Sequence, residues 1–497
     1  MSRLTRVFVL LMILVVGRLC YLSEPYGVSV DESTYLSMAE VLHHGGTLYK
    51  DVVDRKPPAL IWTYQLIGDL FGSWNIHAVH FVFFLILLGL LGFCILIVRE
   101  LRGGSTAILL SAGLYALFSS CFPREVLSAN AEYPMTLFLA GAIFLLFKSA
   151  EKKRYLFVFI SFCLAAISTL FKQYGALIFA FVYLSFSIVE LRQNAMSFKT
   201  QVKALFVGIL GLGFVYGLVC FYFVQKGAFK EFIYYFGVDG FKYIAQSRTL
   251  ENRDTSAWIA ILGMLVSWPA LWWGASKSVG IFRRDPKGIS LICGAVGALI
   301  TAFLSGRYYT HYFVPLIWFL SILSAIGLEQ VFREKKKTII ILSLLPFCFY
   351  VFFNFDREAL SHKWSFTKQK QKELINVGSW IKDHTDPTDR IVVWGMASQL
   401  YLLSERGSGT RFVFSDFVSG RQPGYKSDIS VPLPNAMEEF LTDLEKQKPK
   451  VIIDTSSASM NDYQWFPFTR FSLLKSYVNL YYEKSAVVDA VEIWLRK

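Results

Sequence analysis

Four short stretches of the 497-residue chain set acids, cations and hydroxyls close enough together for joint chemistry. The densest holds Asp31-Glu32, then Tyr35, then Leu48-Tyr49-Lys50-Asp51, then Arg55-Lys56-Pro57-Pro58. A carboxylate there can accept a proton from an attacking group, and a lysine can neutralise an anion such as a phosphate. A plainer reading stands beside it: Asp31 caps a helix that begins at Glu32, and Lys56 is a solvated loop cation. The second stretch is Ser305 to Pro315, SGRYYTHYFVP, with Arg307, His311 and Tyr312; an arginine in that position can also simply snorkel to an interface. The third is Arg124-Glu125 with Asn130, Glu132 and Pro134, and the fourth is Lys172-Gln173. His77 and His80 share one helical face and read as satisfied core residues rather than metal ligands.

The elements that must position these groups are mostly membrane spans. Hydrophobic residues make up 54 % of the chain and aromatics 16 %. Runs of about 17–25 apolar residues suffice to cross a hydrocarbon core, and helices are what satisfy the backbone there. The pattern predicts about eleven spans, near 7–22, 77–98, 105–121, 134–149, 155–171, 173–190, 204–225, 256–273, 288–304, 311–328 and 337–353. Arg3 and Arg6 before the first run look like the start of a signal peptide. Arg18, Cys20 and Tyr21 stand where a small-residue cleavage site belongs, so a retained span is expected.

Charge gives an independent check on this topology. Residues 354–497 carry 19 Lys and Arg against 18 Asp and Glu, so nearly all of the net +13 lies before them. It sits in alternate short loops, such as Lys148 to Arg154 and Lys277 to Lys287, which marks those loops as cytoplasmic. A nucleic-acid partner is therefore not expected. Residues 23–76 and 354–497 fall on the opposite, extracytoplasmic side. The seven cysteines all lie in or beside apolar runs, without the spacing of a disulfide framework or zinc site.

The far-side loop 23–76 has structure of its own. Ser33 to His44 has helical spacing, Gly45-Gly46 breaks it, and Pro58 opens a second amphipathic stretch to Phe71, as surface helices would. The aromatic-rich loop 226–255 looks similar. Beyond Asn354 a helix over Lys372–His384, strands at Arg390–Gly395 and Val451–Asp454, a helix at 436–447 and an antiparallel edge strand within Val487–Leu495 predict a small α/β domain. The expected domains are thus 1–353, membrane-embedded with its loop, and 354–497, soluble and extracytoplasmic.

The motif DExxYxxxAxxLxxGGxLYxDxxDRKPP after the first span, with GRYYTHYFVP before a late one, resembles bacterial members of glycosyltransferase family 39. That family, in the GT-C superfamily, includes protein O-mannosyltransferases, and lipid A aminoarabinose transferases are related. The resemblance implies a multi-pass enzyme of the bacterial inner membrane that moves a sugar from a polyprenyl-phosphate donor to a glycan, lipid or protein acceptor, with inversion. It makes Asp31 the general base and Glu32 a substitute base or loop-organising acid. It assigns Lys56, Arg307, Tyr312, His311 and Lys172 to the donor's phosphate or lipid, and Tyr35 and Glu132 to the acceptor or to loop organisation. Some aminoarabinose transferases carry, directly before this lysine, an acid that helps bind a metal. Arg55 stands there in this chain, so no metal and no cofactor is expected.

Two other function classes compete. A flippase or transporter of lipid-linked sugars would show broken helices or polar groups near mid-membrane, and the sequence displays neither. A non-catalytic membrane subunit would keep the fold without the chemistry, against which the Asp31-Glu32 pair argues.

Overall fold

The computed structural model describes residues 29–120, 128–150, 154–247, 253–304, 306–334, 342–349, 362–423 and 428–497, with isolated positions among 6–15 and at 338. The expected first span and the Arg124-Glu125 pair fall almost wholly outside these residues, and the last span is described only over 342–349. The other expected spans each fall on helix. The chain is a multi-span helical membrane protein with a C-terminal mixed α/β sheet.

Internal contacts divide the chain into two compact units. The first comprises Met1–Glu24, His80–Tyr222 and Tyr243–Arg357; the second comprises Pro25–Val79, Phe223–Lys242 and Glu358–Lys497.

Six described helices are long and apolar enough to cross a membrane, or up to seven if a bent pair counts as one span. The six are Ile76–Glu100, Arg154–Phe171, Gly175–Arg192, Phe198–Gln225, Pro286–Leu304 and Thr310–Arg333. Ser105–Ser120 and Glu132–Lys148 are shorter apolar helices in the positions expected for spans. Helix Phe198–Gln225 leaves Phe206, Phe214, Leu218 and Phe221 exposed, an apolar face that suits lipid tails better than water. Val314–Arg333 is the opposite case, buried along nearly its whole length. It approaches Pro269–Ile281 closely enough that a Cβ on Gly327 would stand 2.0 Å from the Gly274 carbonyl oxygen, the close backbone contact that small residues allow in membranes.

The expected single span 256–273 is instead two helices, Ser256–Ser267 and Pro269–Ile281, bent by 79°. Pro269 has no N–H to donate, and a proline ring in a helix interior clashes with the preceding turn, so the helix restarts there. This overturns the expectation that no helix in the membrane region is broken. The indole of Trp272 donates to the Met264 carbonyl at 3.2 Å across the bend.

The basic helix ends of the first unit are tied by acids. Glu100 pairs with Lys148 at 2.6 Å and Lys287 at 2.9 Å. Glu190 takes both guanidinium nitrogens of Arg154 and the amide of Gln201. His80 is buried as expected of a core residue, whereas His77 is exposed.

In the second unit, β1 (Arg390–Trp394), β2 (Gly407–Ser408), β3 (Val451–Asp454), β4 (Tyr482–Val488) and β5 (Val491–Arg496) form one sheet in the order β2-β1-β3-β5-β4. β1 pairs in parallel with β2 and β3, and β5 runs antiparallel to both β3 and β4. The continuous apolar runs of β1 and β3 fit strands buried on both faces. The expected edge strand at Val487–Leu495 is corrected: a two-residue turn at Asp489-Ala490, both at positive φ, splits it into a hairpin. β5 then lies inside the sheet and β4 takes the edge. Helix His362–Asp383 precedes β1, and helix Ala436–Gln447 lies between β2 and β3 in sequence, as expected.

Candidate active site

Each unit holds one of the acid–cation groups expected from the sequence. In the second unit, helix Val30–His43 is opened by Ser29, whose hydroxyl accepts from the Glu32 N–H at 3.1 Å. The Glu32 carboxylate returns the bond, accepting from the Ser29 N–H at 2.8 Å. This capping box corrects the plain reading of Asp31: the cap is Ser29, and the box acid is Glu32. Asp31, on the first turn, is left with no hydrogen bond among the described residues.

Lys56 Nζ lies 3.9 Å from Asp31 Oδ2, with 25 % and 36 % of the two side chains exposed. That is an ion pair by distance and too long for a hydrogen bond. The same ammonium stands 5.3 Å over the Tyr35 ring, which is itself edge-on to Tyr64. Burial first, and then the Asp31 charge, push the Tyr35 hydroxyl well above its ordinary value, so it stays a neutral donor. Burial likewise pushes the Asp54 carboxyl up, with Lys56 and Arg55 pulling it back.

The loop that carries Lys56 is pinned at several points. Tyr49 adopts a φ of +71° and donates its hydroxyl to the Lys56 carbonyl at 2.7 Å. The Val53 N–H donates to the Arg411 carbonyl at 3.0 Å. The Thr34 hydroxyl meets that of Ser398 at 2.8 Å. Arg55 Nε donates to Asp239 Oδ2 at 2.6 Å. The donor set does not suit a divalent metal: Arg55 brings a fixed positive charge, and Asp239 already answers it. Among the described residues no cluster of three or more metal-ligating side chains occurs.

The first unit's group is built around Glu132, 1 % exposed at the start of helix Glu132–Lys148. Glu132 Oε1 accepts from Lys172 Nζ at 2.9 Å and from the Tyr174 hydroxyl at 3.0 Å. Lys172 also lies 4.7 Å over the ring of Tyr312, and Tyr312 stands edge-on to His311 at 4.7 Å. Glu132, Lys172, Tyr312 and His311 are thus one group. Arg307 lies on the turn leading into it, between Gly306 and Tyr308, both at positive φ.

Sequence reasoning missed Ser29, Tyr174 and Asp239. Ser29 is three residues before Glu32, a capping-box spacing that was there to be read. Asp239 had only the signal of a lone acid in an aromatic segment.

Residues 55–221 match the family model described as dolichyl-phosphate-mannose-protein mannosyltransferase. No curated protein matches the sequence. Among solved structures, ArnT from Cupriavidus metallidurans bound to undecaprenyl phosphate is similar with a TM-score of 0.65 at 13 % identity, covering 98 % of this chain and 97 % of that one. The same protein in the apo state gives 0.59 at 13 % identity, covering 99 % and 98 %. The apo oligosaccharyltransferase of Archaeoglobus fulgidus gives 0.53 at 12 % identity, covering 92 % and 70 %. At such identities the structural likeness is one of fold, while the family rests on the sequence match. Residues 55–221 are thus similar to the dolichyl-phosphate-mannose-protein mannosyltransferase family, and the chain as a whole shares the fold of ArnT.

Proposed function

We propose that this protein transfers a sugar from a polyprenyl phosphate to a glycan, lipid or protein acceptor, with inversion and with Asp31 as the general base. The observation that carries this reading is the carboxylate of Asp31, without a hydrogen bond among the described residues and 3.9 Å from Lys56. The acceptor's oxygen or nitrogen attacks the anomeric carbon while Asp31 takes its proton. The bond from that carbon to the phosphate oxygen breaks, and the phosphate keeps the electron pair. Lys56 neutralises the charge that develops there. A phosphate is a weak base and leaves without a proton. Glu32 is assigned to loop organisation because its carboxylate is occupied in the capping box. Arg307, Tyr312, His311 and Lys172 are assigned to donor contacts as the family resemblance implies, and Tyr35 to orienting the acceptor.

Steady-state transfer tests this. Asp31→Asn keeps the shape but cannot take a proton, so activity falls by roughly 10²–10⁴-fold, the usual scale for a lost general base, and Glu32→Gln loses less. The opposite ranking moves the base to Glu32; full activity in both variants removes this loop from the chemistry.

The broken helix at Trp268-Pro269 is a feature that a transporter would share. Its bend is closed internally, by the Trp272 indole donating to the Met264 carbonyl, so that donor and that acceptor are already paired with each other. The bacterial cell membrane, with residues 23–76 and 354–497 outside the cytoplasm, is part of the same proposal, and the basic loops support it. A cysteine at exposed Ser457, in a cysteine-free background, is then labelled from outside intact cells; protection until permeabilisation reverses the orientation.

A further inference from the structure

Lys56 is held in place through its own backbone carbonyl and through the preceding residue, and both holds lead to one seven-residue segment. Its own carbonyl accepts the Tyr49 hydroxyl, and the Tyr49 ring stacks on Tyr235 with centroids 6.0 Å apart and 11° between planes. The preceding residue, Arg55, is bonded to Asp239, whose side chain is 3 % exposed. The Arg55 guanidinium also lies 4.5 Å over the Phe417 ring, which Tyr235 meets edge-on at 6.3 Å. Tyr235 and Asp239 both belong to the π-helical segment Ile233–Asp239. Such wide turns are rare and often found at functional sites. Asp239 is buried on the segment's last turn, so it holds Arg55 by a charge-assisted bond that a neutral side chain could not replace at equal strength. A buried ion pair is weak evidence for stability, because desolvating both charges offsets most of their attraction. Fixing the direction of an adjacent side chain is a role that the geometry does support.

We propose that Arg55 and Asp239 form a positioning pair that aims Lys56 at the donor's phosphate. Asp239 answers the charge of Arg55 and fixes its backbone, and so sets the direction in which Lys56 leaves the chain. This rests on the reading of Lys56 as a donor-phosphate ligand, and the test separates the two.

Undecaprenyl phosphate is titrated into the full-length, detergent-solubilised protein and into variants. Asp239→Asn and Arg55→Gln each weaken binding by roughly ten- to a hundredfold, the scale for partners that orient a ligating group. Their double variant is no worse than either single. Arg55→Lys, which keeps a charge towards Asp239, recovers most of the affinity. The decisive arm is Asp239→Asn placed on Lys56→Ala: if the pair acts through Lys56, it adds no further loss. A full additional loss there overturns the proposal, since the pair then acts elsewhere. Wild-type affinity in Asp239→Asn and Arg55→Gln beside weak binding in Lys56→Ala overturns the positioning role and leaves the phosphate site standing. Wild-type affinity in Lys56→Ala overturns both.

Discussion

The two acid–cation groups differ in how fully their charges are spent. In the first unit, Glu132 is buried, accepts from Lys172 and Tyr174 at hydrogen-bond distance, and sits at a helix start. In the second, Asp31 and Lys56 are partly exposed and 3.9 Å apart, and a serine and a second acid perform the capping. The first arrangement answers its charges internally, as burial requires. The second keeps its carboxylate and its ammonium beyond hydrogen-bond distance of each other. The same residue types are thus held differently, and burial with bond length tells the two arrangements apart. Lys172 and Lys56, which sequence reasoning groups together, differ in this respect: Lys172 has a carboxylate at 2.9 Å and Lys56 has one at 3.9 Å.

Breaking each group should separate the two roles. The largest effect on stability falls on the first unit. Glu132→Ala strands Lys172 without its carboxylate, and loss of one partner of a buried pair is worth about 3–5 kcal/mol. Thermal unfolding in detergent should register it, while Asp31→Asn stays within about 0.5 kcal/mol of wild type, as surface substitutions usually do. Equal losses in the two variants would erase the distinction. Next comes Lys56→Ala, with donor binding weaker by about 1.5–3 kcal/mol, the value of one hydrogen bond to a charged group. Direct titration with a polyprenyl phosphate measures it, and unchanged affinity removes Lys56 from the site. The smallest effect is Ser29→Ala, which opens the capping box at a cost of about 1 kcal/mol. It should appear as a modest loss of stability with transfer largely retained, because Asp31 does not depend on that hydroxyl for a bond. A Ser29→Ala variant as inactive as Asp31→Asn would mean that the cap positions the base.

Much of the fold was legible because its signals are periodic or one-dimensional. Apolar runs marked the spans, and the glycine pair and proline bounded the helices Val30–His43 and Pro58–Phe71. RIVVW and VIID gave away two strands by their unbroken apolar character. What was lost depends on backbone detail or on distance in sequence. The 79° break at Trp268-Pro269 looked like one span because its residues are apolar on both sides and hydropathy does not register direction. β2 is two residues long, below any periodic signal. The hairpin at Asp489-Ala490 hides because neither residue is the glycine that such a turn prefers.

At the site, the DE pair and Lys56 could be read from a compact motif. The partner of Arg55 could not, since Asp239 is 184 positions away and nothing local ties it to that arginine. The alternative reading of Asp31 as the cap arises because an aspartate before a helix is as good a candidate as a serine by type alone. Only the reciprocal bonds between Ser29 and Glu32 decide it.

The most direct test of the account is single-turnover transfer from pre-bound donor, run with Asp31→Asn against wild type. Pre-binding removes donor affinity from the comparison and reads the transfer step itself. The account predicts that the variant saturates with donor as the wild type does, and then transfers roughly 10²–10⁴-fold more slowly, as loss of a general base implies. A single-turnover rate equal to wild type at saturating donor would contradict it: Asp31 would then take no proton, and the pair on the first loop would be structural.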